Sequence, residues 1–308
     1  MIMKSARIHE YGDTSVIRLD TVSRPRPGPA EVLIRVAATS FNPTETALRL
    51  GLLHNFLPLE LPYALGWDVA GTVCESGSGV PELRVGDRVV GRLDGGAASE
   101  FVLAPAGLLT AAPVTVALTD AAALPVAGLT AWQAVFEHGK VEAGQCVLIN
   151  GAGGGVGGFA TQLAVHTGAE VIATAGPRSA VTVGRHGAHR VIDYTAAAVD
   201  SVLEEPVDVL LNLVPLSRAE AASLVSVVRP GGRIVSIATP IEVPADAGVT
   251  ATHMVARNDV TQLTELVRLV DAGVVTVDIS EVRPLAELPA VHRLSEAGRI
   301  RGKVVLIP

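Results

Sequence analysis

Only two cysteines, Cys74 and Cys146, occur among 308 residues, too few for a disulfide framework or a four-thiolate metal centre. Both read as small buried hydrophobes in a reducing compartment. Aromatic residues are scarce, at 3%, so the core must be built from aliphatic side chains. There is no excess of basic charge: the formal net charge is −7, which offers no overall positive field to nucleic acid or an anionic membrane. Mean hydropathy is high, at +0.42, yet long apolar runs are missing. The best window, residues 111–130, is interrupted by Pro113, Asp120 and Pro125, whereas a spanning helix needs about 20 mainly apolar residues. The opening MIMKSARIHEYG lacks the basic-then-apolar pattern of a secretory signal, and a cytoplasmic location is the expectation.

What is present is 49% hydrophobic residues against 18% charged, enough for a sizeable core, in a chain long enough to form two domains. Through the first hundred residues, short alternating segments (SARIHEYG, SVIRLD, EVLIRVAATS, VAGTVCESGSG, GDRVVGR, ASEFVLAP) are separated by Gly and Pro. This texture predicts a mainly antiparallel, barrel-like β domain. From Thr119 it changes. TDAAALPVAGLTAWQAVFEHGK reads as helical with a break at Pro125, and then apolar strands (CVLIN, EVIATA, HRVIDY, VDVLLNLV, RIVSIA) alternate with helical stretches. That alternation predicts βαβ units and a parallel sheet. The expected division is 1–118 plus 262–308 for one domain and 119–261 for a Rossmann unit inserted into it.

Between CVLIN and the helix that follows lies GAGGGVGG, residues 151–158. A turn so rich in glycine lets main-chain N–H groups approach a diphosphate, while the helix N-terminus favours its charge. The literal G-x-G-x-x-G is met by Gly153, Gly155 and Gly158, but the register Ala152, Gly154, Gly157 places the turn better between strand and helix. Ala152, Gly153, Gly154, Gly155, Val156 and Gly157 are therefore the candidate diphosphate contacts. The next strand chooses the dinucleotide. A carboxylate about 20 residues after the glycines would hold the ribose of NAD, and none ends EVIATA. Thr174, Gly176, Arg178 and Ser179 stand there, and a guanidinium with a hydroxyl suits the 2′-phosphate of NADP(H). The competing reading of Arg178 is a solvated surface arginine.

LPYALGWDVAGTV (61–73), VGDRVVG (85–91), the run 123–157, GAHRVIDY (187–194), VRPGGRIVSIA (228–238) and GRIRGKVVLIP (298–308) together resemble the zinc-free medium-chain dehydrogenase/reductases of the quinone oxidoreductase, zeta-crystallin-like group. The resemblance runs nearly end to end. It implies an α/β fold, a Rossmann doubly wound parallel sheet inserted into a GroES-like, mainly antiparallel β-barrel domain. Zinc-dependent relatives carry a His where this chain has Trp67 and a metal-binding Cys near SFNPTET, and Asp68 alone cannot supply a tetrahedral donor set. No metal is expected, and the eight histidines, including His186 and His189, read as surface or capping residues.

The resemblance further implies that the nicotinamide lies near Asn42, Thr130 and the 213–215 loop, with Leu213, Val214, Ile237 and Ala238 among its contacts, and that Tyr194 joins Arg178 and Ser179 at the adenosine phosphate. Asn42 also reads as a turn residue before Pro43, and Thr130 as a helix residue bonding its own backbone. Trp67 and Tyr63 shape the substrate side, with Tyr63 either a proton donor or a buried ring with a satisfied hydroxyl. Lys303 reads either as a cofactor-phosphate contact or as a solvated strand-edge lysine. Two departures stand out: Asn42, Pro43, Thr44, Glu45 where the group usually shows an acidic residue after Asn-Pro-x, and Asn212 and Pro215 where relatives often have an aspartate and then Val-Gly-Gly. The function implied is NADPH-dependent, zinc-independent hydride transfer to a quinone or an α,β-unsaturated carbonyl, with a pathway-specific enoyl or ketone reductase, or a non-catalytic NADPH-binding protein, as alternatives. A homodimer is expected through edge pairing near THMVA.

Overall fold

The computed structural model describes residues 1–308. The chain forms two compact units, one of Met1–Val126, Asn258–Gly273 and Ile279–Pro308, the other of Ala127–Arg257 and Val274–Asp278. Residues 119–126 and 258–261, expected in the nucleotide domain, lie in the first unit, and 274–278, expected in the first, lie in the second; the short helix Leu118–Ala121 packs on strands Glu31–Ser40, Asp68–Ser76 and Lys303–Ile307.

The second unit holds a six-stranded parallel sheet: β1 (Cys146–Asn150), β2 (Glu170–Ala175), β3 (Arg190–Asp193), β4 (Val207–Asn212), β5 (Val228–Ser236) and β6 (Thr250–His253). Their spatial order is 3-2-1-4-5-6, the dinucleotide-binding arrangement, in which ligands bind beyond the carboxyl ends where the order reverses, between β1 and β4. Residues 147–150 and all of β4 are buried, as expected of parallel strands covered on both faces. Leu148, Ile172, Leu210 and Ile234 carry the core through the sheet. Helix α1 (Gly155–His166) packs Phe159, Ala160, Leu163 and Ala164 inward and ends at Gly168, whose φ of +86° permits the left-handed turn after a helix. Helix Pro125–Trp132 begins at the proline that the sequence marked as a break, and it continues as a π-helical stretch, Gln133–His138.

In the first unit, Glu31–Ser40 is the spine. It pairs antiparallel with Asp68–Ser76, with Phe101–Pro105 and, at its far end, with Lys303–Ile307. Val32, Ile34, Val69, Val89 and Leu109 fill the space that these strands and their neighbours enclose. The late strand therefore delivers its first residue, Lys303, beside the segment that follows Ser40.

Two sequence expectations are corrected here. Cys74 and Cys146 are only partly buried; each lies on a strand near the edge of its core. Among the histidines, His186 and His292 are buried. His292 sits edge-on to Phe41 and 3.3 Å from Thr46 Oγ1, and burial, together with the charge of Arg49, pushes its pKa down to about 3. No helix is long and apolar enough to cross a membrane.

Candidate functional site

The glycine turn is shaped by three different constraints. Gly151, just past β1, has φ +94°, and a Cβ there would lie 2.5 Å from Val214 Cγ1. Gly157 faces backbone: its Cβ would lie 2.4 Å from Gly151 O and 2.5 Å from Ala152 Cα, so only glycine lets α1 approach the strand this closely. Gly154 is different. It is the residue before α1, its φ of −86° is ordinary, no side chain caps the helix, and a Cβ would meet only Gly151 O at 3.5 Å. Open space therefore lies before the first turn, whose N–H groups have no intrahelical partner. Of the two registers, Ala152, Gly154, Gly157 is the one whose last glycine is required by backbone packing; Gly158 would meet only the His186 ring, at 3.1 Å. A dinucleotide diphosphate fits such a cradle.

Residues 176–179 follow β2. Ser179 is buried with its hydroxyl 3.4 Å from Gly176 O, and a Cβ at Gly153 would strike that hydroxyl at 2.2 Å. Tyr194, exposed, brings its hydroxyl within 3.4 Å of where a Cβ on Gly176 would stand. Arg178 is exposed beside them. The nearest strand end carries Asp193, but that carboxylate accepts from the Thr195 hydroxyl and amide, which hold its pKa below the usual range. Gly153, Gly176, Arg178, Ser179 and Tyr194 thus come together. Thr174 does not join them: it is buried, accepts from Gly151 N and donates to Asn150 Oδ1, so its hydroxyl is fully engaged inside the protein. Leu213 and Val214, half-buried, leave β4, while Ile237 and the exposed Ala238 leave β5. All four stand at the carboxyl edge of the sheet. Thr130 is buried on its helix.

In the first unit the antiparallel register places Lys303 opposite Asn42. Lys303 is 4% exposed, and its ammonium donates to Asn42 Oδ1 (2.7 Å) and Phe41 O (3.1 Å) and reaches Asp68 Oδ2 at 3.4 Å. Both sequence readings of this lysine are overturned. It is neither solvated nor available to phosphate, because three acceptors of its own unit occupy the three ammonium hydrogens. Asp68, fully buried, also accepts from the Ser40 hydroxyl, from Asn42 Nδ2 (2.9 Å) and from Val126 N (2.7 Å). Glu45, 2% exposed, accepts from Gly66 N at 3.1 Å and lies 3.4 Å from Asn42 Nδ2. Burial, reinforced by the Asp68 charge, raises its pKa to about 7. Burial likewise lowers that of Lys303, against the pull of Asp68 and Glu45. Asn42, held on both sides of its amide, is a fixed member of this network.

Tyr63 donates its hydroxyl hydrogen to Asp94 O and accepts from Trp67 Nε1 at 3.0 Å. Burial raises its pKa, so it holds its proton firmly and has already directed it at a carbonyl. Sequence reasoning missed Ser40, Glu45 and Asp68 as members of a site. The available signal was a carboxylate or an ammonium heading an otherwise apolar strand, as in DVAGTV and KVVLI.

Residues 186–306 match the family described as zinc-binding dehydrogenase, and residues 28–114 the alcohol dehydrogenase GroES-like domain. The chloroplast envelope quinone oxidoreductase homolog of Arabidopsis thaliana is 32% identical over 331 aligned positions, covering 100% of this chain and 99% of that protein. The chain belongs to the zinc-free quinone oxidoreductase group of the medium-chain dehydrogenase/reductases. Among solved structures, the quinone oxidoreductase of Coxiella burnetii aligns with a TM-score of 0.91 at 30% identity, covering 100% of each chain. That of Escherichia coli, complexed with NADPH, aligns with a TM-score of 0.85 at 26% identity, covering 99% of this chain and 100% of the other. A member of this group is an NAD(P)H-dependent oxidoreductase of small molecules. The zinc in the family description meets no donor set here, since no three His, Cys, Asp or Glu side chains gather to hold a metal.

Proposed function

We propose that this chain is an NADPH-dependent, zinc-independent reductase that passes hydride to a quinone or an α,β-unsaturated carbonyl compound. The observation that carries the reading is the pairing of an open, uncapped helix start at Gly154 with a second-strand end that offers Arg178, Ser179 and Tyr194 in place of a free carboxylate. Main-chain N–H groups of the α1 turn bind the diphosphate, and the Arg178 guanidinium with the Ser179 and Tyr194 hydroxyls binds the 2′-phosphate. Bound NADPH supplies the hydride. Leu213, Val214, Ile237 and Ala238 orient the nicotinamide and shed water from it.

In the first unit, Trp67 and Tyr63 are fixed to each other by the indole-to-phenol hydrogen bond. Neither Tyr63 nor Asn42 keeps a hydrogen free for the acceptor oxygen, because Asp94, Asp68 and Glu45 receive them. Protonation of the reduced product is accordingly assigned to solvent, which favours acceptors such as quinones whose reduced oxygens take protons from water. The reading includes a homodimer formed through β6, the edge strand of the sheet, and a cytoplasmic location, with which two free thiols agree.

The test is NADPH oxidation, followed by the absorbance of the reduced nicotinamide, against a panel of quinones and enones, beside NADH at equal concentration. Turnover with NADPH on at least one member is the expected result. Binding of NADPH without turnover on any member leaves a cofactor-binding protein and removes the enzymatic assignment.

A further inference from the structure

Across the carboxyl ends of four adjacent strands runs a continuous row of buried polar side chains: Thr174 on β2, Asn150 on β1, Asn212 on β4 and Ser236 on β5. Asn150 pairs with Asn212, and Asn212 with Ser236, in the strand register. The hydrogen bonds pass in one direction. Gly151 N donates to Thr174 Oγ1 (2.8 Å), Thr174 Oγ1 to Asn150 Oδ1 (2.8 Å) and Asn150 Nδ2 to Asn212 Oδ1 (2.9 Å). Asn212 Nδ2 then donates both hydrogens, to Val214 O and to Ser236 Oγ, each at 2.9 Å, and Ser236 Oγ donates to Thr239 O at 2.6 Å.

The two ends fix the direction without reference to either ambiguous amide. At one end a main-chain N–H can only donate, so Thr174 accepts there and gives its own hydrogen to Asn150. At the other, Val214 O and Thr239 O can only accept, so Asn212 must present its nitrogen and Ser236 its hydrogen. Both ends require the same orientation of both asparagines. Asn212, which is 0% exposed, thus uses its oxygen and both amide hydrogens, and it bonds the loop after β4 directly at Val214 O and the loop after β5 through Ser236. Val214 lies in 213–216 and Thr239 closes 237–239; Leu216 N also bonds Thr239 Oγ1 at 3.0 Å, so the loops are tied to each other.

We propose that Asn212 is a positioning residue for hydride transfer: through its two amide hydrogens it sets the loops that face the nicotinamide, independently of the adenosine half of the site. The assignment rests on the NADPH reading above. An aspartate at 212 has the same shape and keeps the acceptor for Asn150, but it has no hydrogen for Val214 O. It also draws the Ser236 hydroxyl toward itself and away from Thr239 O. Both loops lose their anchor, while the bonds from Gly151 to Asn150 and the 176–179 turn are untouched.

The experiment compares the full chain with Asn212→Asp and Ser236→Ala, titrated with NADPH and separately with 2′,5′-ADP, which carries the phosphates but no nicotinamide. For Asn212→Asp the expected result is NADPH affinity weakened about tenfold, the scale of one or two neutral hydrogen bonds, with 2′,5′-ADP affinity unchanged. Ser236→Ala removes the bond to Thr239 O and the acceptor of one Asn212 hydrogen but leaves the bond to Val214 O, and a loss of about threefold for NADPH alone is expected. It carries the same test should Asn212→Asp melt below the assay temperature. Equal losses for the two ligands, or no loss for NADPH, overturn the proposal while leaving the cofactor reading in place. A wild-type chain that binds neither ligand overturns the cofactor reading itself, and the proposal with it.

Discussion

Lys303 and Asn42 face each other at the end of the last antiparallel pairing of the first unit, ammonium to amide oxygen at 2.7 Å, and neither is open to solvent. A cation inside a folded domain is tolerated because Asp68 lies beside it and because its hydrogens have acceptors; removing one partner of such a pair strands the other. Lys303→Met is expected to destabilise the protein by about 3–5 kcal/mol, read from the denaturant midpoint. NADPH affinity is expected to stay within about twofold, below half a kcal/mol. A collapse of NADPH affinity in a variant that remains folded shows instead that the lysine reaches the cofactor.

Glu45 gives stability a slope with pH. Its pKa rises from 4.5 to about 7 on folding, so between these values the folded chain binds more protons than the unfolded one, and stability falls as pH rises. The contribution is fully present below about 4.5 and lost as pH passes through about 7. Glu45→Gln removes the titration. Relative to wild type, that variant is expected to gain stability from pH 5 to pH 8. The gain is a few kcal/mol at most, because one proton taken up on folding is worth about 1.4 kcal/mol for each step of one in pH. Parallel melting curves for the two proteins across that range show that the carboxylate is not buried as described.

Gly154 and Gly157 separate ligand from fold. Gly157→Ala drives a methyl into backbone at 2.4 Å and is expected to lower the melting temperature by several degrees, equivalent to about 1–3 kcal/mol. Gly154→Val places its Cβ in open space with an allowed φ; thermal stability is expected to stay near wild type while fluorescence titration finds NADPH binding abolished. Retained NADPH affinity in Gly154→Val contradicts the diphosphate assignment.

If the proposed function holds, Arg178 is the residue that distinguishes the two nicotinamide cofactors. Arg178→Ala is expected to weaken NADPH by about 1.5–3 kcal/mol, the range of a hydrogen bond to a charged group, and to leave NADH almost unaffected. Equal losses for both show that the adenosine phosphate lies elsewhere.

The parallel sheet and the glycine turn were legible because their signals are local: an apolar run with glycines after it is set by strand burial and close backbone approach, whatever the rest of the chain does. Even the choice of Gly157 over Gly158 followed from the distance between strand end and helix start. The polar interior was not legible. Lys303 looks like an edge residue because its neighbours in sequence are ordinary, and its burial arises from Asn42 and Asp68, more than 230 positions away. Thr174 reads as a cofactor contact because it precedes Gly176, Arg178 and Ser179 in the chain, yet strand alternation turns its hydroxyl into the row with Asn150. Tyr63 failed as a donor for the same kind of reason: the Asp94 carbonyl that takes its hydrogen lies on a loop no periodicity could place.

The pairing of Lys303–Ile307 with the end of Glu31–Ser40 has a consequence for assembly on the ribosome. Every strand of the nucleotide-binding sheet has been synthesised by His253, whereas Asp68 waits some 235 residues for its cation. Until that ammonium emerges, the nascent first unit lacks the Lys303 counter-charge that Asp68 has in the folded chain. The first unit is therefore complete only once its last strand has been made, after every strand of the nucleotide-binding sheet.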